Sequence, residues 1–339
     1  MMFTPTSCLY MFLLFISTLL SISSYTMVGA WLGLEVNLMS FIPLLISSRT
    51  FGASEGAMKY FFVQALSSLL LLTYVVVLFL LSPLGILLYD LKIDLMIMLV
   101  LFIKLGAAPF YHWFPGVVAG VDWGPGFILM TWQKVAPLIL VGYFFSFDGI
   151  VAGVIMLSAI IGGVGGINQM SLRKMMAYSS INHMAWMIMG LIAGLSFSLI
   201  YFLVYMLTSA VLVFMMSEFG YYYVSQVFYT STLGSGHVLL FLGWLSFGGL
   251  PPFIGFFPKW MIISVGLNSG LVFIMFLMVM MSLLSLFYYL RVSYIVYSQS
   301  STLNFMHGVL SEVSSWWIYL LYFVMLSGLL MVPLGIQWV

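Results

Sequence analysis

Apolar residues run through this chain in stretches of about 20, long enough to cross the roughly 30 Å hydrocarbon core of a bilayer as helices. Short joints carrying Gly, Pro, Ser or charge separate them. A window of that length predicts about eleven membrane-crossing helices, over 8–25, 28–47, 57–81, 94–113, 124–146, 150–168, 174–194, 197–219, 237–264, 269–292 and 315–335. Pro and Gly interrupt 94–146 and 237–264, so a break or kink is expected there, because proline removes a backbone hydrogen bond and crowds the preceding turn. No polar stretch between the spans is long enough to hold a core of its own. The chain therefore reads as one integral, all-α polytopic membrane domain over 1–339. Its first residues show neither the basic n-region of a secretory signal nor an Arg- and Ser-rich transit pattern, and the first apolar run, from about Leu9, reads as a retained span.

Composition strengthens this picture and narrows the chemistry. The chain is 64% hydrophobic and 5% charged, with a mean hydropathy of +1.22, whereas about a quarter of the residues of a soluble domain are charged. A net charge of +1 gives no basic field for nucleic acid. The single cysteine, Cys8, supports neither a disulfide framework nor a cysteine metal site. The 27 Met and 30 Phe serve as lipid-facing and packing surface. With this span count, Arg49, Lys59, Arg173, Lys174 and Arg291 fall on the N-terminal side of the membrane and only Lys92 on the other. That bias predicts an N-terminus facing the positive-inside compartment, which in a mitochondrion is the matrix.

Against this background the ionisable residues inside the spans stand out: Glu35, Lys104, Lys134 and Lys259. Each costs about 2.5 to 3.5 kcal/mol at a helix centre, and such groups pair with one another or line a water-filled path for ions or protons. Lys104 lies about ten residues into its span, roughly 15 Å deep, and Lys134 lies at the same depth in the next. Taking an ammonium out of water disfavours its charged form and brings its proton into exchange. Glu35 is the natural counter-ion, and changing its distance from Lys104 would load or unload that lysine. The four residues read as a proton relay at mid-depth. A static Glu–Lys pair that only fixes helix packing is the alternative, but three lysines exceed what one carboxylate neutralises. His183, inside a span, is a candidate bridge in the relay, or else a packing histidine. His112 sits near a helix end, where an interfacial role fits better, and His237 and His307 fall near loops and receive no role. Haem ligation would need facing histidine pairs at matched depth, and only His183 is plainly inside a span.

Two segments repeat. Pro109-Phe110-Tyr111-His112-Trp113-Phe114-Pro115 and Pro252-Phe253-Ile254-Gly255-Phe256-Phe257-Pro258 share P-F-x-x-x-F-P, and Lys104 and Lys259 lie beside them. Paired interrupted helices in two halves point to an ion pathway in repeat-built transporters. The copies fall on the fourth and ninth spans, an odd interval that inverts one copy relative to the other. The predicted architecture is two inverted five-helix repeats, about 1–148 and 149–292, with broken helices 4 and 9 and a C-terminal helix within about 293–339. Gly162-Gly163-Val164-Gly165-Gly166 ends a membrane span with no strand before it, so close helix packing, with Ser158 and Gly162 as a small-xxx-small pair, is expected instead of a nucleotide loop. Arg173-Lys174 reads as a topology-setting basic loop.

The run from Gly166 to His183, Gly-Ile-Asn-Gln-Met-Ser-Leu-Arg-Lys-Met-Met-Ala-Tyr-Ser-Ser-Ile-Asn-His, resembles the signature of the proton-pumping, antiporter-like membrane subunits of respiratory complex I. Gly33-Leu34-Glu35-Val36-Asn37, Lys104 to Phe110, and Gly248 to Phe253 continuing through Pro258-Lys259-Trp260 resemble the chain 2 branch of that family, essentially end to end. Chain length and helix number are similar to the animal mitochondrial members, which lack N-terminal helices that bacterial counterparts carry. The resemblance implies a multi-pass subunit of the mitochondrial inner membrane that conducts coupled protons while NADH is oxidised and ubiquinone reduced elsewhere in the complex. It implies Glu35 as the helix 2 carboxylate, Lys104 as its broken-helix partner, Lys134 as the central lysine, Lys259 as the second broken-helix lysine and His183 on the connecting axis. No cofactor is expected on this chain: FMN, iron-sulfur clusters and the NADH and ubiquinone sites belong to other subunits. Expected partners are antiporter-like and small hydrophobic membrane subunits, accessory subunits and lipids. A cation/proton antiporter subunit, a non-pumping membrane scaffold and a haem-carrying electron-transfer subunit are the competing readings.

Overall fold

Helices account for most of the described residues in the computed structural model, which describes residues 5–47, 50–81, 93–229 and 235–302. Arg49, Lys92, His307 and the expected span 315–335 lie outside the described residues, as does the side chain of His237. In chain order the helices are α1 (Pro5–Ser23), α2 (Met27–Ile46), α3 (Phe51–Leu81), α4 (Ile93–Leu105), α5 (Trp113–Gly120), α6 (Trp123–Met130), α7 (Trp132–Tyr143) and α8 (Gly149–Gly165), followed by α9 (Leu172–Gly190), α10 (Leu195–Phe219), α11 (Val224–Tyr229), α12 (Ser235–Gly248), α13 (Phe256–Asn268) and α14 (Val272–Thr302). Six stretches among the described residues are long and apolar enough to cross a bilayer: Pro5–Ser23, Met27–Ile46, Phe51–Leu80, Trp123–Tyr143, Leu195–Phe219 and Val272–Ile295. The expectation of an all-helical membrane protein holds. The short helices α5 and α11 lie where the apolar pattern predicted none.

Local chemistry sets the helix ends. Thr26 accepts a hydrogen bond from the Gly29 N–H at 3.2 Å, capping α2 as hydroxyl residues do. Gly220, at φ +68°, closes α10 in the left-handed conformation that costs glycine little. The chain resolves into two compact units, Met1–Val151 and Ala152–Val339.

In the first unit α3 packs against α2, α4 and α5, while α7 packs against α1 and α4. A Cβ on Gly120 would stand 2.3 Å from the Gly52 carbonyl oxygen, so α3 and α5 touch backbone to backbone. The span of α6 and α7 is interrupted at Thr131, whose hydroxyl donates to the Phe127 carbonyl at 2.7 Å. Pro137 follows inside α7 and has no N–H for the carbonyl of Gln133, four residues earlier.

In the second unit α9 packs against α10, α13 and α14. Every residue from Ser179 to Gly190 is buried. This explains how a helix carrying Ser179, Ser180, Asn182 and His183 remains at membrane depth, because its polar groups meet protein and not lipid. The glycine run at the end of α8 is a packing surface, as expected. A Cβ on Gly162 would come within 2.5 Å of the Asn182 backbone nitrogen, and one on Gly166 within 2.6 Å of the Tyr288 ring. Arg291 of α14 donates to the carbonyls of Ile167 and Gln169 at 2.9 and 3.1 Å. It thereby satisfies carbonyls in the turn after α8, and its role goes beyond setting topology.

Candidate functional site

Two of the expected relay residues share one cavity in the first unit. Its wall comprises Leu34, Asn37 and Leu38 of α2, Tyr60 and Gln64 of α3, Lys104 and Leu105 of α4, Trp113 and Phe114 of α5, Leu129 of α6, and Gln133, Lys134 and Pro137 of α7. Lys104 is 6% exposed and Lys134 2%. About 20 Å³ is open to water centres, room for about one water molecule. The Lys134 ammonium stands 4.9 Å from the centre of the Phe114 ring, a cation–π distance. Lys104 lies in the last turn of α4, where the helix dipole favours a cation.

Glu35 is half-buried, less enclosed than the sequence reading expects. The two make no ion pair. The ion pair within 4 Å among the described residues is Lys59–Glu55, at 2.6 Å on an exposed face of α3. Glu35 and Lys104 therefore share no locked contact.

Polar side chains that carry no charge complete the wall, and the sequence reading passed over them. The Tyr60 hydroxyl donates to Gln133 Oε1 at 3.2 Å, and Gln133 Nε2 donates to Asn37 Oδ1 at 3.1 Å. Gln64 Nε2 donates to the Lys104 carbonyl at 3.2 Å, one of the α4 carbonyls left without a helical partner. The signal for them was present: Tyr60 and Gln64 stand four apart on one helix face, Asn37 is two residues from Glu35, and Gln133 adjoins Lys134.

The helix ends just before the two P-F-x-x-x-F-P segments share a local backbone, although the Ala108–Pro109 peptide of the first copy is cis. α4 stops at Leu105 and α12 at Gly248, each followed by a glycine with positive φ, Gly106 at +70° and Gly249 at +78°. Gly106 and Ala107 donate back to Ile103 and Phe102 at 3.1 and 3.0 Å, and Gly249 and Leu250 donate to Ser246 and Leu245 at 3.0 and 3.4 Å. This is the paired-bond helix end that glycine favours. The lysines occupy different positions in the motif yet reach the same place. Lys259 Nζ, from the first turn of α13, donates across the break to the Gly248 carbonyl at 2.9 Å, while Lys104 itself belongs to the last turn of α4, so each lysine is associated with the C-terminus of the helix before its break. Gly255 is obligatory in the second copy, since a Cβ there would meet the Ser246 carbonyl at 1.9 Å. The first copy has His112 at that point, exposed at the start of α5.

In the second unit Lys259 and His183 are each 7% exposed. His183 Nδ1 and the Tyr201 hydroxyl are 2.8 Å apart. The imidazole also packs against Tyr205 and Phe247, with ring centres 5.0 and 4.7 Å away. Phe247 directly precedes the residue whose carbonyl Lys259 holds, so His183 and Lys259 meet the end of α12 from two sides. Among the described residues no group of three or more His, Cys, Asp or Glu is arranged to hold a metal ion.

A family model described as NADH:quinone oxidoreductase/Mrp antiporter, transmembrane, matches residues 24–286. Over 332 residues the chain is 40% identical to NADH-ubiquinone oxidoreductase chain 2 of Anopheles gambiae, with 96% of each chain covered. The chain belongs to the NADH-ubiquinone oxidoreductase chain 2 family. A second chain 2, from Aedes aegypti, is 39% identical over 335 residues, with 96% of each covered. The fold is shared with a chain of respiratory complex I from Thermus thermophilus, at a TM-score of 0.77 and 21% identity over 97% of this chain and 78% of that one. Glu35, Lys104, Lys134, His183 and Lys259 all lie inside the segment that the family model matches, so this chain 2 relative carries its buried ionisable groups within the shared architecture.

Proposed function

We propose that this chain is a core membrane subunit of NADH:ubiquinone oxidoreductase and moves protons across the mitochondrial inner membrane, driven by NADH oxidation and ubiquinone reduction in other subunits. The observation that carries this reading is the enclosure of two lysines, Lys104 and Lys134, in one small polar cavity of a chain 2 family member. Three lysines against the one carboxylate Glu35 inside the expected spans suit proton exchange better than static packing. Lys104 takes up or releases a proton under the field of Glu35, Lys134 exchanges it within the same unit, and His183 and Lys259 handle it in the other unit. The chain performs no redox step itself, and FMN, iron-sulfur clusters, NADH and ubiquinone are held by partner subunits.

The finer architecture belongs to the same proposal: eleven spans, two inverted five-helix repeats at about 1–148 and 149–292, helices 4 and 9 broken, and the N-terminus in the matrix. The common backbone of the two breaks supports it. Other antiporter-like and small hydrophobic membrane subunits, accessory subunits and lipids cover the apolar outer faces, such as Leu32, Val36 and Met39 of α2.

A cation/proton antiporter is the second reading, because the matching family model spans both kinds of protein. The test is NADH-driven internal acidification by the complex in liposomes, with and without sodium or potassium. Acidification that needs neither ion, by a preparation in which this chain co-purifies with the NADH-oxidising arm, is expected. A strict requirement for a monovalent cation would favour the antiporter and overturn the assignment.

A further inference from the structure

We infer that Gln133, clamped between Tyr60 and Asn37, positions a water molecule through which a proton passes between Lys104 and Lys134. The inference rests on the relay reading above and assigns a positioning residue to it. Asn37, Tyr60, Gln64 and Gln133 are all nine-tenths or more buried and line the same cavity as the two lysines. Burying an amide is unfavourable unless its hydrogen bonds are met. A primary amide has two N–H donors and a carbonyl acceptor. Among the described residues Gln133 uses one N–H on Asn37 and its carbonyl on Tyr60, and Gln64 uses one N–H on the Lys104 carbonyl. The second N–H of Gln133, the amide N–H groups of Asn37 and the carbonyl of Gln64 make no hydrogen bond to another described residue. These unused groups belong to the wall of a space with room for about one water, and a water needs two to four such partners.

In this arrangement the Gln133 carbonyl faces Tyr60 and its N–H₂ end faces Asn37. Thr131 ends α6 before Gln133 and Lys134, and Pro137 inside α7 leaves the Gln133 carbonyl without its helical N–H; Gln133, Lys134 and Pro137 all line the cavity. The amides do not titrate, so they orient water without trapping a proton. In the transfer, an N–H bond of the Lys104 ammonium breaks as its proton joins the water oxygen, and one of the water's own O–H protons forms an N–H bond on the neutral amine of Lys134. The water is regenerated, one positive charge moves, and no electrons change hands.

The test uses the assembled complex in liposomes carrying Gln133→Leu, Tyr60→Phe or Lys134→Met, with coupled NADH turnover, proton flux and the slowing in D₂O measured for each. Gln133→Leu is expected to lower coupled turnover about tenfold and to enlarge the slowing in D₂O, because the water step becomes limiting; Tyr60→Phe shows a smaller change in the same direction. A residue that only packs α2, α3 and α7 together would alter stability and leave the isotope effect at the wild-type value, and that result overturns the inference. If Gln133→Leu does not assemble, Tyr60→Phe alone decides, with an unchanged isotope effect again overturning it. Lys134→Met separates the two levels. Normal pumping there overturns the relay itself, whereas lost pumping there with wild-type behaviour in the Gln133 and Tyr60 variants removes only the role of Gln133.

Discussion

The charged side chains inside the spans meet different surroundings. Lys259 is tied to a helix-end carbonyl at 2.9 Å, Lys134 faces an aromatic ring, and Glu35 is half-buried with no ion pair to Lys104. The charged members were legible in the sequence because a lysine in an apolar span is rare and costly. Asn37, Tyr60, Gln64 and Gln133 leave only a faint spacing signal, since uncharged polar residues disturb hydropathy little and meet only in three dimensions. Arg291 shows the same limit from another side. It counts as one basic residue for topology, yet its guanidinium holds two carbonyls of the turn after α8. Arg291→Ala is therefore expected to cost about 2 kcal/mol, the loss of hydrogen bonds made by a charged donor, and Arg291→Lys to recover part of it. Thermal inactivation of the complex reads this out, and an unchanged inactivation temperature for the alanine variant would contradict the role.

Broken helices are the elements that make the site. α4 and α12 end at glycines with positive φ and back-bonded amides, which delivers a lysine to a helix C-terminus in each case. The prolines and phenylalanines of the repeat announced that a break would occur, but its geometry depends on Gly106 and Gly249, whose torsion no periodicity reveals. The segment after the first break falls between the expected spans and forms α5, where Gly120 lets it lie directly on α3 at Gly52. In α7 the helix runs on through Pro137. Pro137→Ala would return an N–H to the Gln133 carbonyl, which stabilises the helix by up to about 3 kcal/mol. The variant is expected to slow coupled turnover several-fold in a complex that assembles normally, because Pro137 lines the cavity beside Gln133 and Lys134. Full turnover in assembled Pro137→Ala would show that Pro137 has no part in positioning them.

For the molecule as a whole, hydropathy alone established a helical membrane protein, and the run from Gly166 to His183 carried the resemblance that the chain 2 relatives bear out. Hydropathy is a poorer guide to the centre of the fold. α9, with Ser179, Ser180, Asn182 and His183, is among the least apolar of the long helices and is buried without interruption from Ser179 to Gly190, since polar groups at membrane depth must meet protein. The central claim is that this scaffold exists to hold exchangeable lysines out of water, with Lys134 the most enclosed of the three. Proton flux and NADH oxidation by the reconstituted complex carrying Lys134→Met, compared at equal assembly, test that claim most directly. The account predicts weakened pumping with turnover slowed through coupling; normal flux at normal turnover would contradict it and leave this chain a membrane scaffold.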